Sequence, residues 1–249
     1  MYKRPHHQRI QKVLESLDAQ LLLKHQCLFS GGTAISLVLG EYRESVDIDF
    51  MVSSVDGYRE LRSIVSSEGV TALMTRALPL KREVKIDQYG IRCALDVDND
   101  RPIKFEIVFE GRLQLADPLP EDRIDGVWAL AMEDKVATKL MANSDRWADD
   151  AVWSRDLVDL AMLTHGGIAD PAGVAKAVRA YGDGVLRDFE KARARLLERD
   201  KWLTACMKRM GMTVAEADLR AKIADIVVAL PSAPANPVRA RNPPRARKP

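Results

Sequence analysis

The amino-acid sequence predicts an α+β fold, in which a mixed sheet flanked by helices is followed by an all-helical C-terminal half. Short runs typical of strands all lie before residue 110, whereas apolar residues recur at helical spacing from Val127 onward. The 249 residues suffice for one large domain or two small ones. We therefore predict an α/β domain over residues 1–120, a helical domain over 121–230 and a disordered tail over 231–249.

The elements follow from local periodicity and from turn residues. In the first half we predict a helix over 9–24, a strand over 27–29, a helix over 33–39, a strand over 46–52, a helix over 58–67 and strands over 84–89, 91–97 and 103–109. In the second half we predict helices over 129–142, 154–165, 172–180, 184–199 and 214–230.

Two aspartates define the first candidate site. Asp47 and Asp49 are two residues apart in a predicted strand, so both side chains point to one face, about 7 Å apart at their roots. Carboxylates placed in this way repel each other unless a cation lies between them, and Mg²⁺ takes one or two carboxylates together with substrate phosphates. Two solvated acids on an edge strand are the alternative interpretation.

A glycine turn precedes these aspartates. Gly31 and Gly32 lack side chains, so their backbone N–H groups can approach a triphosphate, and the helix predicted from Thr33 directs its positive end at the same anion. The Thr33 hydroxyl could donate one more hydrogen bond. Arg43 suits a phosphate contact, because its guanidinium matches phosphate geometry, or it pairs on the surface with a neighbouring glutamate.

A third acid is predicted to complete the site. Alternation in the strand over 103–109 places Glu106 on the face opposite Phe105 and Ile107. From a strand next to that of Asp47, Glu106 could reach the same two Mg²⁺ ions, since carboxylates clamp paired metals in phosphoryl transfer. Alternatively, Glu106 is an ordinary strand residue that pairs with Lys104.

Charge and cysteine content limit the partners and the cellular compartment that we expect. The tail over 231–249 carries six prolines, five basic residues and no acid, so without its +5 the net charge of +2 becomes −3. Such a tail could hold RNA through phosphates or serve only for solubility. The three cysteines lack metal-site spacing, and no signal peptide or membrane-spanning run is visible, so we expect a cytoplasmic protein without membrane contact.

Three segments together resemble a known family. FSGGTAISLVLGEYRESVDIDF (residues 29–50), residues 132–142 and residues 155–160 look like the AbiEii/AbiGii nucleotidyltransferase toxins of the DNA polymerase β-like superfamily. The resemblance implies the nucleotidyltransferase type of mixed sheet, transfer of a nucleoside monophosphate from an NTP to an acceptor hydroxyl, and a separate antitoxin. The acceptor would be RNA, at the 3′ end of tRNA, bound by a helical half whose basic stretch over 191–201 is interleaved with acids.

The resemblance also implies roles for individual residues. Gly31, Gly32 and Thr33 correspond to the phosphate-binding turn, and Asp47 and Asp49 to the metal-binding pair. Lys139 corresponds to a lysine that contacts the triphosphate, and Asp156 to the acid of an R-D motif that orders the site. The expected catalytic set is therefore Asp47, Asp49, Glu106, Lys139 and Asp156.

Plainer alternatives remain open at this point. Lys139 could be a solvated helix residue, and Asp156 could pair with Arg155 or with the next helical turn. A protein that nucleotidylates another protein, or an inactive fold that only binds a partner, would share most of these motifs. The identity of the NTP does not follow from the residues.

Overall fold

The computed structural model describes residues 1–231 and confirms the predicted α+β class. The predicted tail, apart from Pro231, lies outside the described residues. A five-stranded sheet and a small two-stranded sheet form the β-structure of residues 1–231. The strands are β1 (Leu28–Ser30), β2 (Ile48–Val52), β3 (Leu80–Ile86), β4 (Gly90–Leu95), β5 (Ile103–Phe109), β6 (Arg123–Ile124) and β7 (Val127–Trp128).

Ten α-helices occur in the same range. They are α1 (Pro5–Leu14), α2 (Ala19–Lys24), α3 (Gly31–Val38), α4 (Val55–Glu68), α5 (Met132–Arg146), α6 (Arg155–Leu163), α7 (Pro171–Tyr181), α8 (Gly184–Glu198), α9 (Trp202–Arg209) and α10 (Glu216–Asp225). In residues 1–231, no helix combines the length and the apolar character that a membrane span requires.

The main sheet has the order β1-β2-β5-β4-β3, and it is mixed because β2 and β5 run parallel while the other neighbours are antiparallel. Its centre is fixed by the aromatic rings of Phe29, Phe50 and Phe105, which are fully buried, with centroids 5.4 and 5.7 Å apart along the row. Since side chains alternate along a strand, burial of these residues sends their neighbours to the opposite face. The β2–β5 register pairs Asp49 with Glu106.

The buried apolar side chains form two clusters. One lies under the main sheet and includes α1, α4 and Val127, and the other fills the space between the C-terminal helices. In the second cluster α5 packs against α6, α7 and α8. Leu28 and Ile35 belong to this helical cluster although they precede residue 120. The domain division at residue 120 stays a prediction.

The observed elements differ from the predicted ones at several places. Strands β6 and β7 were not predicted, and β7 lies where helical character was expected from Val127 onward. The helix predicted over 9–24 is two helices, because the Asp18 side chain accepts hydrogen bonds from the backbone N–H groups of Gln20 and Leu21 and starts a new helix there. Helix α9 was not predicted. Strand β3 starts at Leu80, four residues before the predicted position, and its pairing with β4 contains register shifts.

Candidate functional site

A cleft of about 580 Å³ lies between the main sheet and the helical cluster. Its volume is in the range of small-molecule sites, which runs from roughly 300 to 1,000 Å³. Seven of the nine predicted site residues line this cleft, whereas Thr33 and Asp156 do not. The seven are Gly31, Gly32, Arg43, Asp47, Asp49, Glu106 and Lys139.

Gly31 turns the chain from β1 into α3 in a conformation that other residues avoid. Its φ is +74°, and a Cβ at this position would lie 2.5 Å from Oδ2 of Asp49 and 3.1 Å from the Asp49 Cβ. Ordinary contacts between such atoms are about 3.5–4.0 Å. Glycine is therefore required here both for the left-handed backbone and for the close approach of the Asp49 carboxylate.

Gly32 is required for a different neighbour. Its φ is not positive, but a Cβ would lie 2.0 Å from Nη2 of Arg43 and 3.3 Å from Oδ2 of Asp159. The second glycine of the turn thus makes room for a buried guanidinium. From the sequence, Gly32 was predicted to contact a phosphate. The structure adds a steric reason for glycine at this position.

Thr33 lies behind the cleft wall. Its hydroxyl is 2.5 Å from the backbone oxygen of Asp47 and 2.8 Å from the Ser45 hydroxyl. Since one hydroxyl carries a single proton, Thr33 donates to the Asp47 carbonyl and accepts from Ser45. This bond links the start of α3 to the segment before β2. The Thr33 hydroxyl was predicted from the sequence to contact a phosphate, but it is directed to the backbone of Asp47.

Asp47 immediately precedes β2, Asp49 is its second residue, and both line the cleft. Within residues 1–231 their carboxylates make no hydrogen bond or ion pair. Burial, and after it the charge of Asp47, raises the pKa of Asp49 to about 6. Nearby Glu106 adds to the rise, while Lys104 and Lys139 oppose it. The site therefore concentrates negative charge that the described residues neutralise only in part.

Glu106 faces the same cleft from β5, but two cations hold it. It forms ion pairs with Lys104, two residues along the strand, and with Nε of Arg92 at 2.5 Å. Burial raises the pKa of Glu106, yet these cations outweigh burial and leave the pKa below its ordinary value. The pairing with Lys104 that the sequence left as an alternative is present.

Lys139 of α5 is buried, and two acids of α6 contact it. Its Nζ lies 3.1 Å from Oδ1 of Asp156 and 2.7 Å from Oδ2 of Asp159. Asp156 also accepts from Arg146, with Nε at 2.7 Å from its Oδ2. Lys139 is thus no solvated helix residue, and the partners of Asp156 are Lys139 and Arg146, whereas the alternative interpretation named Arg155.

Asp159 is the buried residue that the sequence-based prediction missed. It is fully inaccessible and accepts hydrogen bonds from the Tyr42 hydroxyl, from Nε and Nη2 of Arg43 and from Lys139. Arg43 consequently pairs with Asp159, and the surface pairing with a glutamate is wrong. The signal was present in the sequence: Asp156 and Asp159 are three residues apart, which places both on one side of a helix.

The donor set suits a divalent cation at two of the three predicted carboxylates. Asp47 and Asp49 provide hard oxygen ligands without competing cationic partners among the described residues, which is the chemistry that Mg²⁺ prefers. No group of three Asp, Glu, His or Cys side chains in residues 1–231 has the arrangement of a complete metal site. Asp47 and Asp49 could hold the ion, with phosphates and water completing its shell, and Glu106 would first have to leave Lys104 and Arg92.

The cleft is also lined by basic residues and by a turn with a left-handed backbone. Arg101, Arg155 and Arg209 line it and form no ion pair with another described residue. Trp153, in the left-handed region with φ +54°, stacks on Trp202 with centroids 5.3 Å apart. Non-glycine residues in this conformation are uncommon and cluster at functional sites.

The basic stretch predicted to bind the acceptor on α8 has acidic partners. Arg195 and Arg199 both donate to Asp150 at 2.7 Å, and Arg193 pairs with Glu190. Much of its charge is thereby compensated within the chain. The three arginines of the cleft wall are the better candidates for a polyanion.

A match to one protein family agrees with the motifs. The family model described as nucleotidyl transferase AbiEii toxin, type IV toxin–antitoxin system, matches residues 12–234. A comparison with curated proteins gave no match.

Three solved structures are similar at low identity. A candidate nucleotidyltransferase from H. pylori has 17% identity and a TM-score of 0.46, with 87% of this chain and 89% of that chain covered. JHP933 from Helicobacter pylori has 16% identity and a TM-score of 0.46, with 90% of each chain covered. The nucleotidyltransferase toxin MenT4 from Mycobacterium tuberculosis has 18% identity and a TM-score of 0.42, with 89% of this chain and 85% of that chain covered.

Proposed function

Since the chain belongs to the AbiEii family of nucleotidyltransferase toxins, we propose that it transfers a nucleoside monophosphate from an NTP to a hydroxyl of RNA, at the 3′ end of tRNA, with release of pyrophosphate. The observation that carries the proposal is that Asp47 and Asp49, whose carboxylates have no partner within residues 1–231, lie in the same cleft as the Gly31 bend. A site built in this way places acidic metal ligands next to main-chain amides that can face a triphosphate.

The acids would hold the metal in this proposal. Asp47 and Asp49 are its ligands. Glu106 is the third ligand if it leaves Lys104 and Arg92 and binds the metal ion instead. Mg²⁺, as two ions when both sites fill, would supply the charge that aligns the acceptor hydroxyl with the α-phosphate and stabilises the leaving pyrophosphate.

The cations of the chain would bind the phosphates. Arg43 uses three of its N–H groups on Asp159 and on the Glu44 carbonyl, which leaves two of its five donors for a ligand. Lys139 uses two of its three donors on Asp156 and Asp159. The remaining N–H groups of both residues have no acceptor among the described residues, and in this proposal they would orient the triphosphate for in-line attack.

The charge of the cleft wall favours RNA as the acceptor. Arg101, Arg155 and Arg209 lie within the cleft and lack acidic partners among the described residues, and arginine binds phosphodiesters with paired hydrogen bonds. A protein acceptor would not require three such cations. Addition of a nucleotide to tRNA would stop translation, and a chain with this activity would be toxic and would need an antitoxin protein as partner.

Labelled NTPs test the proposal directly. The purified chain is incubated with Mg²⁺ and each α-³²P-labelled NTP, with total RNA in one reaction and total protein in another. The proposal predicts label in the tRNA fraction, loss of label with EDTA, and loss in Asp47→Asn and Asp49→Asn variants that still fold.

Other outcomes decide against it. Label in protein but not in RNA would identify a protein-modifying enzyme. If variants with Asp47→Ala or Asp49→Ala retained full toxicity in cells, the fold would act by binding alone. Arg76→Gln, on an exposed residue outside the cleft, is the control for handling and expression.

A further inference from the structure

We propose that Asp159 is a positioning residue that holds Arg43 and Lys139 together as one phosphate-binding unit. The inference rests on the proposed function, since it concerns how these cations meet the nucleotide. Arg43 comes from the loop after α3 and Lys139 from α5, so they belong to different elements. Asp159, on α6, is the carboxylate in residues 1–231 that contacts both.

The four donors around Asp159 fill both oxygens. Oδ1 accepts from the Tyr42 hydroxyl at 2.5 Å and from Nε of Arg43 at 2.6 Å, while Oδ2 accepts from Nη2 of Arg43 at 2.8 Å and from Lys139 at 2.7 Å. Such a bidentate contact fixes the plane of the guanidinium. The orientation of Arg43, and hence of its free N–H groups, follows from Asp159.

The glycine turn is matched to this arrangement. The Arg43 guanidinium lies against Gly32, where a Cβ would meet Nη2 at 2.0 Å. Oδ2 of Asp159, which accepts from the same Nη2 at 2.8 Å, lies 3.3 Å from that Cβ position. The glycine turn and Arg43 are therefore in direct contact, and a shift of Asp159 would move the guanidinium that lies against the turn.

The charges around Asp159 support the same positioning role. Burial alone would raise the pKa of Asp159, but Arg43 and Lys139 outweigh it and hold this pKa below its ordinary range. Asp159 thus stays ionised when the cleft is empty. With Asp156 and Arg146 it forms an alternating row of three cations and two acids, which retains one net positive charge toward the cleft.

A buried ion pair of this kind can also serve stability alone, because removal of one partner leaves an uncompensated charge. The two roles differ in what a mild change does. Tyr42→Phe removes one hydrogen bond from Asp159 and leaves every charge in place. A positioning role predicts that this variant alters nucleotide binding, whereas a stabilising role predicts a change in melting temperature only.

The experiment compares matched pairs of variants. Tyr42→Phe is paired with Tyr58→Phe, a buried tyrosine outside the cleft whose hydroxyl donates to the Asp87 carbonyl. Asp159→Asn is paired with Asp134→Asn, a fully buried aspartate outside the cleft that accepts from Lys176. Each protein is measured for melting temperature, for KM and kcat with labelled NTP, and for affinity for α,β-methylene NTPs.

The expected result is a rise of about fivefold in KM for Tyr42→Phe, the equivalent of one hydrogen bond, with kcat changed less. Asp159→Asn raises KM further. Its effect on KM is smaller in a Lys139→Met background, because the loss of Lys139 has already disrupted the phosphate-binding unit that Asp159 holds together. Tyr58→Phe and Asp134→Asn leave KM unchanged.

Equal KM values for Tyr42→Phe and Tyr58→Phe would overturn the inference. The inference would also be overturned if the fold-increases in KM of Asp159→Asn and Lys139→Met multiplied fully in the double variant. If Asp159→Asn does not fold, the tyrosine pair decides. A wild-type chain that labels neither RNA nor protein would refute the proposed function, while analogue binding by the tyrosine variants would still report on Asp159.

Discussion

Replacement of Gly31 by alanine separates backbone strain from damage to the acidic pair. Gly31 and Gly40 have nearly the same left-handed backbone, with φ of +74° and +75°. A Cβ at Gly40 would meet no atom within 4 Å, whereas a Cβ at Gly31 would lie 2.5 Å from Oδ2 of Asp49. Gly40→Ala is therefore a control that carries the strain without the contact.

The expected magnitudes follow from these distances. Both substitutions cost about 1–2 kcal/mol of stability, because alanine avoids the left-handed region. In Gly31→Ala the carboxylate of Asp49 must also move by about 1 Å to reach an ordinary contact. A displacement of that size at a reacting centre lowers the rate by roughly 100-fold. Gly40→Ala should change the rate less than about twofold.

The assay measures nucleotide transfer and thermal unfolding on the same preparations. We expect a similar decrease in melting temperature for both variants. Only Gly31→Ala should show a decrease in the rate of nucleotide transfer. If Gly31→Ala transfers nucleotide as fast as Gly40→Ala, then the close approach of Gly31 to Asp49 has no functional consequence and our interpretation of the bend is wrong.

Three further predictions concern the third acid, the helix packing and pH. Glu106→Gln should lower the transfer rate by at least about tenfold with little change in KM for the NTP, since a metal ligand acts on the reacting phosphate; steady-state kinetics would show it. Gly173→Ala should cost about 1–3 kcal/mol in urea unfolding and leave KM unchanged, because its Cβ would lie 2.5 Å from the Glu133 carbonyl and 2.8 Å from Val136. Burial lowers the pKa of His7, so the unfolded chain protonates first as the pH falls, and the free energy of unfolding should decrease below about pH 6.5. A urea titration across that range checks the slope, which His7→Gln should reduce.

The sequence predicted the part of the site that depends on local pattern. Strict alternation around Ile48 and Phe50 fixes which side of β2 carries the acids, and alternation around Phe105 does the same for Glu106. The two patterns predicted that the strands could be neighbours, and the structure pairs Asp49 with Glu106. Local periodicity was enough here because burial of one face dictates the direction of the other.

The sequence could not predict which charges meet across the fold. Arg43 and Asp159 are 116 positions apart, so no spacing rule connects them. The steric reason for Gly32 depends on the same contact. The capping role of Asp18 is local, by contrast, and could have been found from its position before a new apolar turn. Helix α9 was missed because it is short and follows α8 closely.

Binding of Mn²⁺, a spectroscopic substitute for Mg²⁺, tests the central claim most directly. Electron paramagnetic resonance would measure bound Mn²⁺ in the wild-type chain, in Asp49→Asn and in Asp134→Asn, each with an α,β-methylene NTP. The account predicts a nucleotide-dependent Mn²⁺ signal in the wild type and in Asp134→Asn, and its loss in a folded Asp49→Asn protein. Full Mn²⁺ binding and full nucleotide transfer in Asp49→Asn would contradict it.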